Sequence, residues 1–151
     1  MDVAVENLQP VAVASVRRTT TESELPSIFD SSSRAILTAL GEARRQPKGH
    51  MFARYHHFEP QHVDVEIGLP VDGFAQPVGD VAPSSLPGGE VASVLHVGPY
   101  PGLGSAYDAL YAWARENNVT EPGAPWEVYL NTPLDQPDQS KLETKVYLPL
   151  G

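Results

Sequence analysis

Val13-Ala-Ser-Val16 and Val91-Ala-Ser-Val94 are one tetrapeptide occurring twice, and each copy opens the same succession of signals. The first lies in residues 11–16 (VAVASV), a β-branched and small run that reads as a buried strand. Leu25, Ile28, Phe29, Ala35, Ile36, Ala39, Leu40 and Ala43 then recur at helical spacing, behind Thr21 and Glu24 spaced as a capping box. Arg44-Arg45 suits the negative end of the helix dipole, and Pro47 with Gly49 stops the helix. Residues 51–57 and 63–71 follow as a hairpin across a polar segment. The second copy repeats this order. Residues 91–97 read as a strand, and Gly98-Pro-Tyr-Pro101 turns into a helix with Pro101 near its first position. Its stripe is Leu103, Ala106, Tyr107, Leu110, Trp113, Ala114 and Asn117, and residues 126–131 and 142–150 make a second hairpin over the acidic loop 132–140.

Two more matches fall in the same order. Tyr55 precedes a long hairpin loop as Tyr129 does, and Ile67-Gly-Leu-Pro70 and Val146-Tyr-Leu-Pro149 close the two final strands. Three ordered matches argue for duplication. The expected fold is α+β: pseudo-twofold strand-helix-strand-strand units at about 11–71 and 89–150, with mainly antiparallel sheets, in one domain spanning 1–151. Residues 72–88, rich in Gly and Pro, read as the linker, with room for one short strand or bridge. A helix on one face of each sheet leaves the other faces to line a central cleft, where ligands commonly sit.

Composition narrows the function. The chain has 151 residues, no Cys, and 19 Asp and Glu against 10 Lys and Arg, for a formal charge of −9. Without Cys there are no disulfides, thiol nucleophiles or thiolate metal sites. Arg17-Arg18, Arg44-Arg45 and Lys141/Lys145 are scattered among acids, so no basic face is expected for nucleic acid. No apolar run is long enough for a membrane helix, and the N-terminus lacks a secretory pattern. The expectation is a cytoplasmic protein that binds neither nucleic acid nor membrane.

Strand alternation sorts the second hairpin by face. Trp126, Val128 and Leu130 share one side, read as packing on the helix together with Leu142, Thr144, Val146 and Leu148. Glu127, Tyr129 and Asn131 share the other with Glu143, Lys145 and Tyr147, and Tyr55 takes the position equivalent to Tyr129. Tyr100 stands at the helix entrance. A carboxylate desolvated among aromatic rings calls for a cation, which a ligand can supply, and the rings add cation–π attraction. A raised pKa would instead fit it for general acid–base work. The plain alternative is a solvated Glu127 paired with Lys145 across the ladder.

Leu86-Pro-Gly-Gly-Glu-Val91, His96-Val-Gly-Pro-Tyr100, Leu103-Gly-x-Ala-Tyr107-x-x-Leu110, Trp126-Glu-Val-Tyr-Leu-Asn131 and Val146-Tyr-Leu-Pro-Leu150 together resemble the GyrI-like small-molecule-binding domains. These are related to the effector-binding domains of multidrug-responsive activators such as BmrR. With Phe52-Ala-Arg-Tyr55 and residues 63–71, the resemblance covers nearly the whole chain. It implies a duplicated strand-helix-strand-strand fold and a groove glutamate that falls on Glu127. It also implies recognition of flat, apolar, cationic or otherwise amphipathic aromatic small molecules without a cofactor: Glu127 is the anchor, the candidates from alternation and position (Tyr129, Tyr147, Tyr55 and Tyr100) are the walls, and Trp113, which its helix stripe reads as core, is a groove floor in the family's manner. Some family members are fused to a DNA-binding domain, for which this length leaves no room; one inhibits DNA gyrase through protein contact. Others resemble hydrolases that open the cyclopropane ring of DNA-alkylating natural products, which would make Glu127, Tyr55 and Tyr147 catalytic.

The remaining constellations read as structural. His50, His56, His57 and His62 gather about a hairpin turn without helical metal spacing, so no metal site is expected. Gly98-Pro-Tyr-Pro-Gly-Leu-Gly104 lacks the Lys-Ser/Thr of a phosphate loop. His96 reads as a hydrogen-bonded strand histidine.

Overall fold

The computed structural model describes residues 2–151, and its elements alternate as the duplication requires. In chain order they are β1 (Ala4–Leu8), β2 (Val11–Thr20), α1 (Leu25–Ala43), β3 (Phe52–Glu59), β4 (His62–Pro70), β5 (Ala82–Leu86), β6 (Gly89–Val97), α2 (Leu103–Glu116), β7 (Trp126–Tyr129) and β8 (Glu143–Pro149). Strands and helices together make the fold α+β.

The described residues form two units, one of residues 10–87 and one of residues 2–9 with 88–151. Within the first the strand order is β3-β4-β2-β5, and within the second β1-β6-β8-β7. All these pairings are antiparallel. Each central strand carries an edge strand that local pattern does not fully place. β5 lies in the expected linker and pairs with β2, Ser15 opposite Ala82; β1, not anticipated at all, pairs with β6, Ser93 opposite Ala4. The repeat is therefore strand-strand-helix-strand-strand, and its edge strands are exchanged. β1 precedes β2 in sequence but pairs with β6, whereas β5 precedes β6 and pairs with β2. Both are five residues long and hydrogen-bonded on one side, so neither needs the apolar alternation of a central strand. Pro83 in β5 suits that edge position.

Each helix lies against the strands of its own unit. In α2, Ala106, Leu110 and Ala114 recur every fourth residue and pack on Ala92, Val94, Val146 and Leu148, all at most 2% exposed. In α1 the buried positions are Ser32, Ile36, Ala39 and Leu40. That helix ends with Arg44 in the left-handed region (φ 57°), and Arg45 N–H reaches back to the Leu40 carbonyl at 2.9 Å. The expected capping box does not form. Glu24 occupies the N-cap without a side-chain cap bond, and the Thr21 hydroxyl meets Ser23 instead at 3.2 Å, because a 3-10 turn over Glu22–Glu24 delays the helix. Gly68 cannot be replaced cheaply: a Cβ there would lie 2.6 Å from the Ala14 carbonyl and 2.9 Å from the Phe52 ring.

Candidate ligand-binding site

Register decides which way Glu127 points. Residues opposite one another in an antiparallel pair share a face. Glu127 stands opposite Val146 and Tyr129 opposite Thr144, so both lie on the side covered by α2. This corrects the expected sidedness. Trp126 is opposite Tyr147, and their rings stack at 5.2 Å and 21° on the reverse face, where Val128 is opposite Lys145. The alternation itself was right; assigning Trp126 and Val128 to the helix because they are apolar was not. Trp126 finds its cover on the Tyr147 ring, and the carboxylate goes under the helix.

There it meets Tyr107, which α2 carries one position after core residue Ala106. The Tyr107 hydroxyl donates to Glu127 Oε1 and the Tyr129 hydroxyl to Oε2, each at 2.6 Å. Tyr100, in the 3-10 turn before α2, packs edge-on against Tyr129 at 5.9 Å. Glu127 is 5% exposed, and no ion pair among the described residues includes it. The solvated-glutamate alternative falls with this placement: Lys145 is on the other face, 2.8 Å from Glu6, whose carboxylate also accepts from Ser93.

A second buried glutamate shows what is unusual about this one. Glu66, 6% exposed, accepts from Ser15 at 2.7 Å, and its other oxygen meets His56 Nε2 at 2.9 Å. Burial raises its pKa, but these hydrogen bonds and one from Ser84 outweigh burial and hold it below the ordinary value. At Glu127 the balance is reversed. Burial pushes its pKa up, and the two phenol hydrogen bonds and the charge of His96 only partly oppose that rise. Tyr100 is raised too, by burial first and then by the charges of Glu127 and Asp135.

The folded chain holds the Glu127 proton more tightly than the unfolded chain, whose reference value is 4.5. This group's stabilisation is thus full below about pH 4.5 and is lost as pH rises through the folded-state value. Glu127→Gln, neutral throughout, should melt higher than wild type at pH 8, with the difference vanishing towards pH 4.5. Thermal melts of both proteins across that range check this; a variant less stable at pH 8 would contradict it.

The structure gathers only part of the expected set in this unit. Glu127, Tyr129 and Tyr100 come together. Tyr147 does not join them, because it lies on the reverse face with Trp126 and Lys145, 5.2 Å from the Lys145 Nζ. Trp113 does not either. It is six residues beyond Tyr107, about 240° further round the helix, and borders a surface hollow with Asp2, Val3, Ala109, Ala112 and Glu116. Tyr55 belongs to the other unit, opposite Val65 in the register that places Tyr129 opposite Thr144, with its ring edge-on to Phe58 at 5.6 Å. In the sequence Tyr107 is only part of the helix stripe. Its signal was a phenol hydroxyl on a face otherwise made of Leu and Ala, which when buried needs a polar partner. His96 is 7% exposed, and its Nε2–H donates to the Pro99 carbonyl at 2.9 Å, the structural role expected. The hairpin histidines separate: His56 to Glu66, His57 to Glu59 at 3.3 Å. Among the described residues no group of three His, Asp or Glu is placed to hold a metal ion. No helix among them is long and apolar enough to cross a membrane.

The GyrI-like small molecule binding domain matches residues 1–150. The chain belongs to the GyrI-like family. This GyrI-like chain is similar to the C-terminal domain of EcmrR, with a TM-score of 0.80 and 23% identity over 98% of this chain and 96% of that one. In an EcmrR–DNA complex the TM-score is 0.84 at 22% identity, and the match covers 98% of this chain but only 56% of that one. A hydrolase from Listeria innocua matches at 0.69 and 13% identity, over 97% of this chain and 90% of that one. SAV2435 bound to tetraphenylphosphonium matches at 0.70 and 9% identity, over 99% and 93%. At these identities the likeness is one of fold. Among curated proteins none matches the sequence.

Proposed function

We propose that this GyrI-like domain binds amphipathic aromatic cations, drug- or toxin-like in size and shape, with the Glu127 carboxylate as the charge anchor. One observation carries the reading: Glu127 is 5% exposed and hydrogen-bonded to two tyrosines, yet enters no ion pair among the described residues. A buried carboxylate without a cation is costly, and a bound organic cation offsets that cost. Tyr107, Tyr129 and Tyr100 add flat apolar surface and cation–π attraction beside the charge. SAV2435, similar in fold, has been seen with tetraphenylphosphonium, a lipophilic cation, which favours the same ligand class here. Calorimetry with methyltriphenylphosphonium and the neutral triphenylphosphine oxide tests the reading. The cation should bind and the oxide should bind at least about tenfold more weakly, as for loss of a charge-assisted contact. Equal affinities would sink it.

The same site supports a second reading, hydrolysis of a strained cyclopropane electrophile. A carboxyl with a raised pKa can hand a proton to or take one from water, and phenol hydroxyls can stabilise a developing oxyanion. In this reading Glu127 is the acid–base group, and Tyr107 and Tyr129, which donate to its carboxylate, take the part expected of Tyr147, which lies on the reverse face. Product formation beyond one equivalent, lost in Glu127→Gln, would favour it over sequestration.

A further inference from the structure

Glu127 is clamped symmetrically, with one phenol on each oxygen. That arrangement suits a charged carboxylate, which accepts on both sides. Burial at 5% exposure without a paired cation favours the neutral acid. The two demands conflict without a cation and agree once one is bound. From this conflict we infer that cation binding at Glu127 expels the proton of its carboxyl, so that the domain exchanges a proton for its ligand and binds more tightly as pH rises. The inference rests on the charge-anchor reading above.

Protonation of the carboxyl puts an O–H on one oxygen, so the phenol that donates to that oxygen in the structure has to turn its hydroxyl away or accept. When a cation enters, the O–H bond of the carboxyl breaks, the electron pair stays on oxygen and the proton leaves to solvent. Both phenols then donate again. Among the described residues of this unit, the following groups face Glu127. Tyr107 comes from α2, Tyr129 from β7, and Tyr100 from the turn before α2, itself near the charge of Asp135. From β6 comes His96, whose Nε2–H is held by the Pro99 carbonyl. β8 contributes uncharged Val146 and Thr144. Burial raises the Glu127 pKa in the free protein, which is consistent with the exchange. A ligand cation lowers it again, and linkage converts the difference into pH-dependent affinity.

The test is calorimetry of the full chain with methyltriphenylphosphonium between pH 5.5 and 8, in buffers of different ionisation enthalpy. The observed enthalpy should change with buffer in proportion to protons released. Affinity should rise with pH, by up to about tenfold per unit below the free protein's Glu127 pKa, and level off above that pKa. Glu127→Gln should show weaker binding with neither dependence. Tyr107→Phe removes a donor that favours the carboxylate, so its affinity profile should move to higher pH. Charge-selective binding with a flat pH profile and buffer-independent enthalpy would overturn the exchange and leave the anchor intact. Proton release undiminished in Glu127→Gln, or an unmoved profile in Tyr107→Phe, would overturn it too. A cation bound no better than triphenylphosphine oxide would remove both claims.

Discussion

Glu127→Gln should weaken binding of a lipophilic cation by about ten- to a hundredfold, the ~1.5–3 kcal/mol range of contacts to charged groups. The substitution is nearly isosteric, so the shape of the site and its stacking surfaces persist. What changes is the charge and one direction of hydrogen bonding. The carboxamide oxygen still accepts from one phenol, while its NH2 donates to the other, whose hydroxyl has to turn. A neutral ligand of the same shape should lose less than about threefold, since no charge pair is removed. The comparison is therefore between two ligands on one variant, and general damage to the site would depress both. Equal losses for cation and neutral ligand would mean that Glu127 shapes the site without supplying its charge. Because the variant is expected to be more stable than wild type at pH 8, unfolding does not offer an alternative explanation there.

Leu110→Ala should destabilise the protein by about 2–5 kcal/mol, the range for removing a fully buried leucine. Leu110 is 0% exposed, between Ala106 and Ala114 on α2, and it packs on Ala92, Val94, Val146 and Leu148. The small alanines either side let the helix approach the sheet closely, so Leu110 supplies most of the volume at the contact and little nearby can fill the gap. The same helix carries Tyr107, three residues earlier. Urea melts measure the loss, and a midpoint unchanged from wild type would contradict the packing described. At temperatures where the variant stays folded, its cation affinity should fall less than that of Glu127→Gln, since the Glu127 carboxylate is retained.

Much of this fold was legible because duplication writes its evidence twice. Val13-Ala-Ser-Val16 and its copy marked the central strands, and the helix stripes placed α1 and α2 within a few residues. β1 and β5 were hard to read for a physical reason. An edge strand of five residues is held from one side only, and its exchange into the opposite repeat is a tertiary choice that local pattern does not record. The site was half legible. Alternation correctly grouped Glu127 with Tyr129 and Trp126 with Val128, but only register settles which group faces the helix. Hydrophobicity gave the wrong answer there, since Trp126 buries itself on Tyr147 and the polar pair lies beneath α2. Tyr107 was hidden for the opposite reason, as its ring fits an apolar stripe and only its hydroxyl betrays a partner.

The most direct measurement of the anchor is a crystal structure of the protein with tetraphenylphosphonium. The account predicts the cation against the Glu127 carboxylate, its phenyl rings on Tyr107, Tyr129 or Tyr100. A cation seated elsewhere, with Glu127 untouched between its two tyrosine hydroxyls, would contradict it.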